Sequence, residues 1–541
     1  MFTVSVSRDL YRYEIHSLIK AFYPEEEVRT YVEEPGAAPS FLRVIFSPEE
    51  IRLAFSDAPD KEESFAEGEL QFRISGETGT VGINQQAADG DAPLDEKSLT
   101  CKTALKHLLY RMLCLRTGRT LPWGELIGIR PTKIASRRLE EGMTEEEAAA
   151  WMEQNHYVSP GKAGLAAQIA AREAKILKNF DPVDGYSLYI GIPFCPTTCL
   201  YCSFPSYGIG RWMRPVADLR RDGTLGTDTS PSIDRALGRL PANADGVDLY
   251  LSLLEEEMET SAALMQGKYP ETIYFGGGTP SSLSAPQMER LFETVKRFFP
   301  SDRVREYTVE AGRPDSITDD KLAVMKKAGV TRISVNPQTM KEETLRIIGR
   351  RHTARQTQEA FAAARSAGFT NINMDMILGL PGETPDDVRY TLSAIEELRP
   401  DSLTVHSLAV KKGSKMQEIV RESGYEGLGL AAGTMELAID AARRMELFPY
   451  YLYRQKNMTG NDENIGFARE GGFGLYNILI MEETQSILAL GCGGISKRVD
   501  PPEQPGTRGK ILRSENAHEL RVYMEHFDEM MARKMNLFGD M

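Results

Sequence analysis

The chain is organised around Tyr189-Ile-Gly-Ile-Pro-Phe-Cys195-Pro-Thr-Thr-Cys199-Leu-Tyr-Cys202, where three cysteines follow the spacing C-x3-C-x2-C. The apolar run before the first cysteine predicts a buried strand. Three closely spaced thiolates can hold three corners of a [4Fe–4S] cube and leave the fourth iron open to bind and activate a small molecule. A structural zinc site is less well supported, because it takes four ligands and no fourth Cys or His follows at a suitable spacing. A disulfide among Cys195, Cys199 and Cys202 is disfavoured in a chain with cytosolic features.

The composition is that of a soluble globular protein with more than one domain. The 541 residues exceed what a single core usually holds, and 41% of them are hydrophobic and 26% are charged. The net charge of −14 argues against a surface that coats nucleic acid. No apolar run of about 18 residues occurs, so we expect no membrane span. The scattered Cys101, Cys114 and Cys492 indicate free thiols and a reducing, cytoplasmic location.

Residues 1–182 predict an N-terminal α+β domain of unknown role. Their pattern predicts strands at 3–6, 41–46, 51–55 and 70–74, and helices at 11–22, 97–117, 144–154 and 159–178. The stretch 76–96, rich in Gly, Asp and Ala, indicates a mobile connector. We find no catalytic constellation in this part of the chain, and we interpret His16, His107 and His156 as surface or packing residues.

Residues 183–412 repeat the order apolar strand, loop and helix, which predicts parallel βα units. The strands are expected at 188–192, 272–275, 307–309, 332–335, 372–378 and 403–408. An insertion at 208–246 interrupts this repeat, and its Gly, Ser, Asp and Pro content predicts a solvated or disordered loop. The alternative is a lid that offers arginines to an anionic substrate. After residue 412 the repeat stops, which indicates a small C-terminal domain at 413–541.

Polar residues at the carboxyl ends of these strands are the candidates for an active site, since barrels of this type place it there. The second strand runs into Gly276-Gly-Gly-Thr279-Pro280, where missing side chains let backbone N–H groups approach a ligand. Glu310, Gln338 and Asp375 lie in or just after the next three strands. Burying each without a partner would be costly, so their convergence on one edge favours a ligand site.

The cysteine stretch resembles the signature of the radical S-adenosylmethionine (SAM) superfamily. The longer string Tyr-x-x-Ile-Pro-Phe-Cys resembles the oxygen-independent coproporphyrinogen III oxidase family and its haem-chaperone relatives. The resemblance implies a partial (β/α)6 barrel at 183–412, a [4Fe–4S] cluster on Cys195, Cys199 and Cys202, and one or two molecules of SAM. The residues that match SAM contacts are Tyr189, Gly277 and Glu310 for cluster-bound SAM, and Tyr201, Gly278, Thr279, Gln338, Arg350, Asp375 and Ala409 for a second site.

The resemblance also implies an activity. In this family the cluster cleaves SAM to a 5′-deoxyadenosyl radical, which removes a β-hydrogen atom from a propionate of coproporphyrinogen III. Loss of CO2 and one electron then leaves a vinyl group, and repetition gives protoporphyrinogen IX. It therefore implies a tetrapyrrole substrate or haem as the ligand and flavodoxin or ferredoxin as the electron donor. We expect cationic partners for the substrate carboxylates among Lys411, Lys412, Arg454 and Lys456.

Two departures from the family pattern leave the function open. Typical decarboxylating members carry His two residues after the tyrosine, where this chain has Gly191. The haem chaperones carry a His-Asn-x-x-Tyr-Trp motif, and the corresponding Leu475-Tyr-Asn-Ile-Leu-Ile480 lacks its His and Trp. The chain most resembles the HemZ-type branch. We therefore keep two hypotheses: an oxidative decarboxylase, and a chaperone that binds haem with His406 as an axial ligand. Radical SAM modification of RNA fits the acidic charge poorly.

Overall fold

The computed structural model describes residues 1–24, 26–32, 41–46, 51–55, 72–75, 80–83, 101–128, 130–226, 230–410, 414–423, 433–455, 463–501 and 509–539. The chain forms two compact units, one of Met1–Ala171 with Arg454–Asn457 and the other of Arg172–Tyr453 with Met458–Met541. The domain limits expected at residues 182 and 412 stay predictions. Lys411, Lys412 and Lys456 lie outside the described residues.

The first unit has an α+β structure around a mixed sheet. Its elements are β1 (Phe2–Val6), α1 (Arg12–Phe22), β2 (Val28–Val32), β3 (Leu42–Phe46), β4 (Ile51–Phe55), β5 (Phe72–Ser75), β6 (Thr80–Ile83), α2 (Cys101–Thr117), α3 (Thr132–Glu140), α4 (Glu145–His156) and α5 (Pro160–Leu177). The described strands of the main sheet run in the order β2-β1-β3-β4, and β1 is parallel to both of its neighbours. The strands predicted in this region are confirmed. The sequence pattern misses β2 and α3, because charged residues interrupt their apolar periods.

The structure bears on two further expectations for this unit, the connector at 76–96 and the role of Arg454 as a substrate partner. The predicted connector at 76–96 is wrong in its described part, because Thr80–Ile83 pairs with Phe72–Ser75 in an antiparallel hairpin. Its other residues lie outside the described ranges. Arg454 is buried and donates a hydrogen bond to the carbonyl of Leu126, so its guanidinium is engaged inside the first unit.

The second unit begins with the cysteine stretch and a chain of alternating strands and helices. Its elements up to residue 407 are β7 (Gly185–Ile192), β8 (Phe194–Cys195), β9 (Tyr207–Gly208), α6 (Ile209–Trp212), α7 (Val216–Arg221), α8 (Pro231–Leu237), α9 (Gly246–Leu264), β10 (Tyr269–Gly277), α10 (Ala285–Phe298), β11 (Glu306–Gly312), α11 (Asp319–Lys327), β12 (Arg332–Val335), α12 (Glu342–Ile347), α13 (Ala354–Ser366), β13 (Ile372–Leu378), α14 (Pro385–Leu398) and β14 (Ser402–Ser407). Side-chain capping boxes at Ser284, Thr353 and Thr384 start α10, α13 and α14.

The remaining elements complete the unit. They are α15 (Lys415–Ser423), α16 (Thr434–Arg444), β15 (Phe448–Tyr453), β16 (Asn464–Ala468), α17 (Leu475–Glu482), β17 (Ser486–Leu490), β18 (Ile495–Val499), β19 (Ile511–Glu515), α18 (Leu520–Glu525) and α19 (Phe527–Phe538). Among the described residues, one sheet has the strand order β15-β16-β14-β13-β12-β11-β10-β7-β17-β18-β19. The run from β7 to β14 is parallel throughout. This confirms the α/β class and the predicted βα strands of the partial barrel. The strands after residue 412 extend both edges of the same sheet.

The two faces of the parallel run differ in chemistry. Phe275 and Tyr307 point to one face and pack against Phe292 of α10. The alternate residues Tyr274 and Glu310 point to the opposite face, where Tyr274 donates a hydrogen bond to Glu310. Because side chains alternate along a strand, the helix-covered face is apolar and the other face is polar and aromatic. We call the polar side the inner face.

The insertion at 208–246 is folded in its described part, so the interpretation as a solvated or disordered loop is wrong there. It contains α6, α7 and α8 and buries Trp212, Leu219 and Ile233. Four of its six arginines have partners within the insertion: Arg211 with Thr224, Arg214 with Asp222, Arg220 with Asp234 and Arg221 with Asp218. The other two, Arg235 and Arg239, pair with Glu256 of α9, so the lid alternative is weakened.

Candidate functional site

The three cysteines of the motif lie on one compact loop after β7. Phe194 and Cys195 pair in parallel with Tyr207 and Gly208, which closes the segment between them. Within it the N–H of Cys202 donates to the carbonyl of Cys199 at 3.2 Å. Cys195 is buried, Cys199 and Cys202 are half-buried, and each is a free thiol.

Two of the sulfurs have hydroxyl neighbours. Cys195 Sγ lies 3.3 Å from Thr279 Oγ1, and Ser206 Oγ donates to Cys202 Sγ at 3.5 Å. Burial raises the pKa of Cys195 to about 12. Metal ligation requires the thiolate, so a thiolate at this depth is stable only with a bound cation such as iron.

The third sulfur, Cys199 Sγ, has two buried arginines around it. Arg313 Nη1 lies 3.9 Å from this sulfur. Arg350 Nη1 donates to the carbonyl of Asn336 at 2.6 Å. Burial alone would lower the pKa of Arg350, but Tyr201 and Cys199 hold it above its ordinary value. Positive groups at this depth need a negative partner, which thiolates and a cluster would provide.

The donor set therefore fits an iron–sulfur cluster. In the part of the chain that the structure describes, no three His, Cys, Asp or Glu side chains lie close enough to ligate one metal ion. In a [4Fe–4S] cube each cysteine binds a different iron, so its sulfurs stand farther apart than the ligands of a single ion. Cys195, Cys199 and Cys202 would hold three of the irons.

The glycine loop after β10 packs on the strand that leads into the cysteines. The N–H of Gly278 donates to the carbonyl of Ile192 at 2.8 Å, and that of Thr279 to Phe194 at 2.7 Å. A Cβ on Gly278 would lie 2.6 Å from the Phe194 oxygen, so only glycine allows this approach. The expectation that these N–H groups face a ligand is wrong for Gly278 and Thr279. Gly277, with φ of 103°, pairs with Ile192 in the sheet.

Two carboxylates lie on the inner face. Glu310 Oε1 accepts a hydrogen bond from Tyr274 Oη at 2.5 Å, and Asp375 Oδ1 accepts one from Asn373 Nδ2 at 2.6 Å. Burial raises the pKa of Glu310 to about 7; the bond from Tyr274 opposes this, the charge of Asp375 adds to it, and that of Arg332 offsets it in part. The inner face thus carries two acidic groups, and the charge of Asp375 adds to the raised pKa of Glu310.

Gln338 joins these carboxylates to the arginine side of the site. Its N–H donates to the carbonyl of Asp375 at 3.0 Å, and it lies two residues after Asn336, the partner of Arg350. Its φ of 66° is in the left-handed region, which is strained for a residue other than glycine. Its buried Oε1 has no hydrogen-bond partner. A strained residue with an unpaired acceptor suggests a position shaped for a ligand.

The other matched residues lie around this face. Tyr189 stacks on Tyr274 and Tyr476, with ring centroids 6.2 and 6.0 Å apart. Tyr201 packs against the apolar cluster that contains Ile348, on the arginine side. Ala409 is buried just after β14, at the carboxyl end of the sheet. The structure thus collects the sequence-predicted residues at one edge, with the cysteine and glycine loops on one side of the inner-face carboxylates.

The structure explains why glycine occupies position 191. A Cβ on Gly191 would lie 3.1 Å from the carbonyl oxygen of Cys492 and 3.3 Å from that of Leu490. These carbonyls belong to β17 and the turn after it, and β17 pairs in parallel with β7. A side chain at position 191 would therefore require these carbonyls to move by a few tenths of an ångström, which favours glycine here.

His406 lies beside the carboxylates on β14. Its Nδ1 is 3.4 Å from Tyr453 Oη, and its Nε2 is 4.0 Å from Asp375 Oδ2. Sequence reasoning missed Tyr274, Arg313 and Asn336. Tyr274 resembles a core residue in an apolar strand. Arg313 had a weaker signal: it is a charged residue four positions after the strand predicted at 307–309, and it follows directly after β11 in the structure.

Comparison with known proteins agrees with this geometry. Residues 189–395 match the model of the radical SAM superfamily. The chain is 38% identical to the oxygen-independent coproporphyrinogen-III oxidase-like protein HemZ of Bacillus subtilis, over 96% of this chain and 94% of that protein. It is 34% identical to the heme chaperone HemW of Bacillus subtilis, over 42% of this chain and 51% of that protein.

Among solved structures, the chain is similar to coproporphyrinogen III oxidase (HemN) from Escherichia coli, a radical SAM enzyme. The TM-score is 0.47 with 22% sequence identity, covering 66% of this chain and 72% of that one. The match to HemZ covers nearly the whole of both chains, including the first unit. The chain therefore belongs to the radical SAM family of oxygen-independent coproporphyrinogen-III oxidase-like proteins that includes HemZ.

Proposed function

We propose that this protein is a radical SAM enzyme that oxidatively decarboxylates propionates of coproporphyrinogen III to yield protoporphyrinogen IX. The observation that carries the proposal is the pair of acidic groups, Glu310 and Asp375, on the inner face beside the cysteine loop. Similarity to HemZ over nearly the full chain supports the choice of substrate class.

The acidic pair suits SAM, which carries a positive sulfonium and a positive ammonium. A cation bound near Glu310 and Asp375 would offset the burial and the like charge that together raise the pKa of Glu310 to about 7. Tyr274 holds the Glu310 carboxylate in one orientation through a bond of 2.5 Å. The buried Oε1 of Gln338 has no hydrogen-bond partner, so it is available to accept a hydrogen bond from the same ligand.

When bound, the cluster and SAM supply a 5′-deoxyadenosyl radical able to remove hydrogen from an unactivated carbon. The residues of this chain position and shield that chemistry. The stacked rings of Tyr189, Tyr274 and Tyr476 form an apolar wall next to Glu310, with centroids of the closest pair 4.4 Å apart. Position 191 is a glycine that lies close to the carbonyls of Leu490 and Cys492, so the reaction here would proceed without a histidine at that position.

The test is an anaerobic turnover with the full chain after reconstitution with iron and sulfide. Coproporphyrinogen III, SAM and dithionite are supplied, and the tetrapyrrole products and 5′-deoxyadenosine are separated by chromatography. We expect decarboxylated tetrapyrrole and 5′-deoxyadenosine together. The variant C199S should yield neither, and C114S, which alters a cysteine of the first unit, should yield both. SAM cleavage without decarboxylated product would contradict the proposal.

A second candidate, haem binding for transfer to an acceptor, is favoured by one observation. Tyr453 Oη lies 3.4 Å from His406 Nδ1, and such a contact on one ring nitrogen orients the other for a metal. Titration of haem into the protein, followed at the Soret band, tests this. Saturable binding that H406A abolishes would support a chaperone role. Binding that H406A leaves unchanged would remove His406 from it, and no saturable binding would remove the role itself.

A further inference from the structure

Arg313 is a buried side chain that no part of the proposed reaction uses. It follows directly after β11, and only 2% of its side chain is exposed. Its Nη1 donates to Thr197 Oγ1 at 2.9 Å and to the Thr197 carbonyl at 3.3 Å, and it lies 3.9 Å from Cys199 Sγ. Thr197 lies between the first two cysteines of the motif, so one guanidinium fixes the loop and reaches a sulfur.

The counter-ion of Arg313 stands on the far edge of the guanidinium. Asp315 accepts from Nε at 2.9 Å and from Nη2 at 2.8 Å, a bidentate pair. The remaining nitrogen, Nη1, is the one that faces Thr197 and Cys199. The positive group therefore lies between the carboxylate and the cysteine loop.

Burial differs between the two partners as well. The side chain of Asp315 is 19% exposed, against 2% for Arg313. Water screens the outer charge more than the inner one, so the field at Cys199 is dominated by the guanidinium. Arg350 adds a second positive group near the same sulfur, and burial and Arg350 both lower the pKa of the neighbouring His352 to about 3, which leaves that ring neutral.

We propose that Arg313 is a positioning residue of the cluster loop whose charge raises the reduction potential of the [4Fe–4S] centre, and that Asp315 moderates this effect. Reduction adds one electron to the cluster and makes it more negative by one charge. A nearby positive group stabilises the reduced form more than the oxidised form. Hydrogen bonds to the cysteine sulfurs and the charge around a cluster are known to set its potential.

The experiment is a potentiometric titration of the reconstituted full-length protein with dithionite and redox mediators, in the absence of SAM and tetrapyrrole. The reduced cluster is followed by electron paramagnetic resonance, and iron and sulfide are measured for every variant. We expect R313Q to shift the midpoint potential to more negative values and R313K, which keeps the charge, to shift it less. D315N should shift it in the opposite direction, to more positive values.

The opposite signs separate an electrostatic role from a merely structural one. A loosened loop would move R313Q and D315N in the same direction, and that result would overturn the proposal. The matched control is R365Q, which breaks the ion pair of Arg365 with Asp401, 2.5 Å long, away from the cysteine loop. A shift in R365Q as large as in R313Q would also overturn it.

If R313Q does not retain the cluster, the test depends on D315N. A midpoint potential of D315N that equals that of wild type, or is more negative, contradicts the proposal. The inference depends on the cluster and not on the substrate. The midpoint potential is measured without tetrapyrrole, so it can be interpreted even if the protein proves not to be a decarboxylase. In the same way, an unchanged midpoint potential in the variants would not argue against decarboxylation.

Discussion

Two carboxylates, one in each unit, show how differently the same group can be used. Glu125 of the first unit is fully buried, and His156 Nδ1, His107 Nδ1 and Lys106 Nζ lie 2.8, 3.0 and 3.2 Å from its oxygens. Although burial raises the pKa of Glu125, its histidine partners lower it to about 2. Three nitrogen atoms of the chain itself thus lie within ion-pair distance of this carboxylate.

Glu310 of the second unit lacks such partners. Its hydrogen bond comes from a neutral phenol, Tyr274, and Asp375 is a like charge beside it. Burial is the largest cause that raises the pKa of Glu310 to about 7. The charge of Asp375 adds to this effect, and that of Arg332 offsets it only in part. A carboxylate that its own chain pairs with nearby nitrogen donors stabilises a fold, whereas one whose charge Arg332 offsets only in part indicates a place for a ligand. The comparison predicts opposite responses to the same substitutions.

The largest effect is expected at Glu125. Removing the carboxylate in E125A leaves two histidines and a lysine without a partner in a buried place, which should cost about 3–5 kcal/mol of unfolding free energy. Urea unfolding at neutral pH, followed by tryptophan fluorescence, measures it, and E310A is the matched variant in the second unit. We expect E310A to lose less unfolding free energy than E125A. An equal loss in the two variants would contradict the difference proposed between the two sites.

The pH dependence of stability should come next in size. Because the folded pKa of Glu310 is above its unfolded value, its contribution is fully present below pH 4.5 and is lost as the pH rises to about 7. The loss should be about 3 kcal/mol for the protein without SAM, since one pKa unit corresponds to about 1.4 kcal/mol. Unfolding of wild type and E310Q between pH 5 and 8.5 tests this. Wild type should fall relative to E310Q, and parallel curves would show that Glu310 is not the group responsible.

SAM affinity should show a smaller effect with a distinct signature. A hydrogen bond to a charged group contributes about 1.5–3 kcal/mol, so E310Q should weaken SAM binding by about 10- to 100-fold. Wild-type affinity should also rise as the pH increases through 7, since Glu310 becomes ionised. Equilibrium dialysis of the anaerobic, reconstituted protein measures both. Equal affinity in E310Q would place the SAM ammonium elsewhere.

Backbone strain at Gln338 gives the smallest expected change. Glycine tolerates a φ of 66°, so Q338G should stabilise the protein without SAM by about 0.5–1 kcal/mol while it weakens SAM binding. The control is a glycine substitution at Gln356, which lies in the first turn of α13 and should destabilise. Loss of stability in Q338G would mean that its side chain, and not a ligand, supports the local structure.

Much of the second unit could be predicted from the sequence because its strands are short apolar runs separated by amphipathic helices. Arg332–Val335 and Ile372–Leu378 are confirmed with the predicted limits. Composition misled at the insertion, where Gly, Ser, Asp and Pro suggested a loop. The buried Trp212 and Leu219 were the signal for packing there, but apolar residues that are so widely separated do not form a recognisable period.

The residues of the site could be predicted where they lie at the ends of strands. They could not be predicted where contacts between distant parts of the chain determine what a residue does. Glu310 and Asp375 were found because a polar residue interrupts an apolar strand. The use of the Gly278 and Thr279 N–H groups was mispredicted, because the approach of the cysteine loop to β10 is a long-range contact. Gly191 could not be interpreted either, since the carbonyls that a side chain would crowd come from residues 490 and 492.

The most direct test of the account is the proton count when SAM binds at pH 7. Near its pKa of about 7, Glu310 is partly protonated, and a cationic ligand should drive the proton off. Calorimetric titration of the anaerobic, reconstituted protein in two buffers of different ionisation enthalpy gives this number. We expect net proton release in wild type and none in E310Q. A binding enthalpy that is independent of the buffer in wild type would contradict the claim that the acidic pair of Glu310 and Asp375 is the complement of SAM.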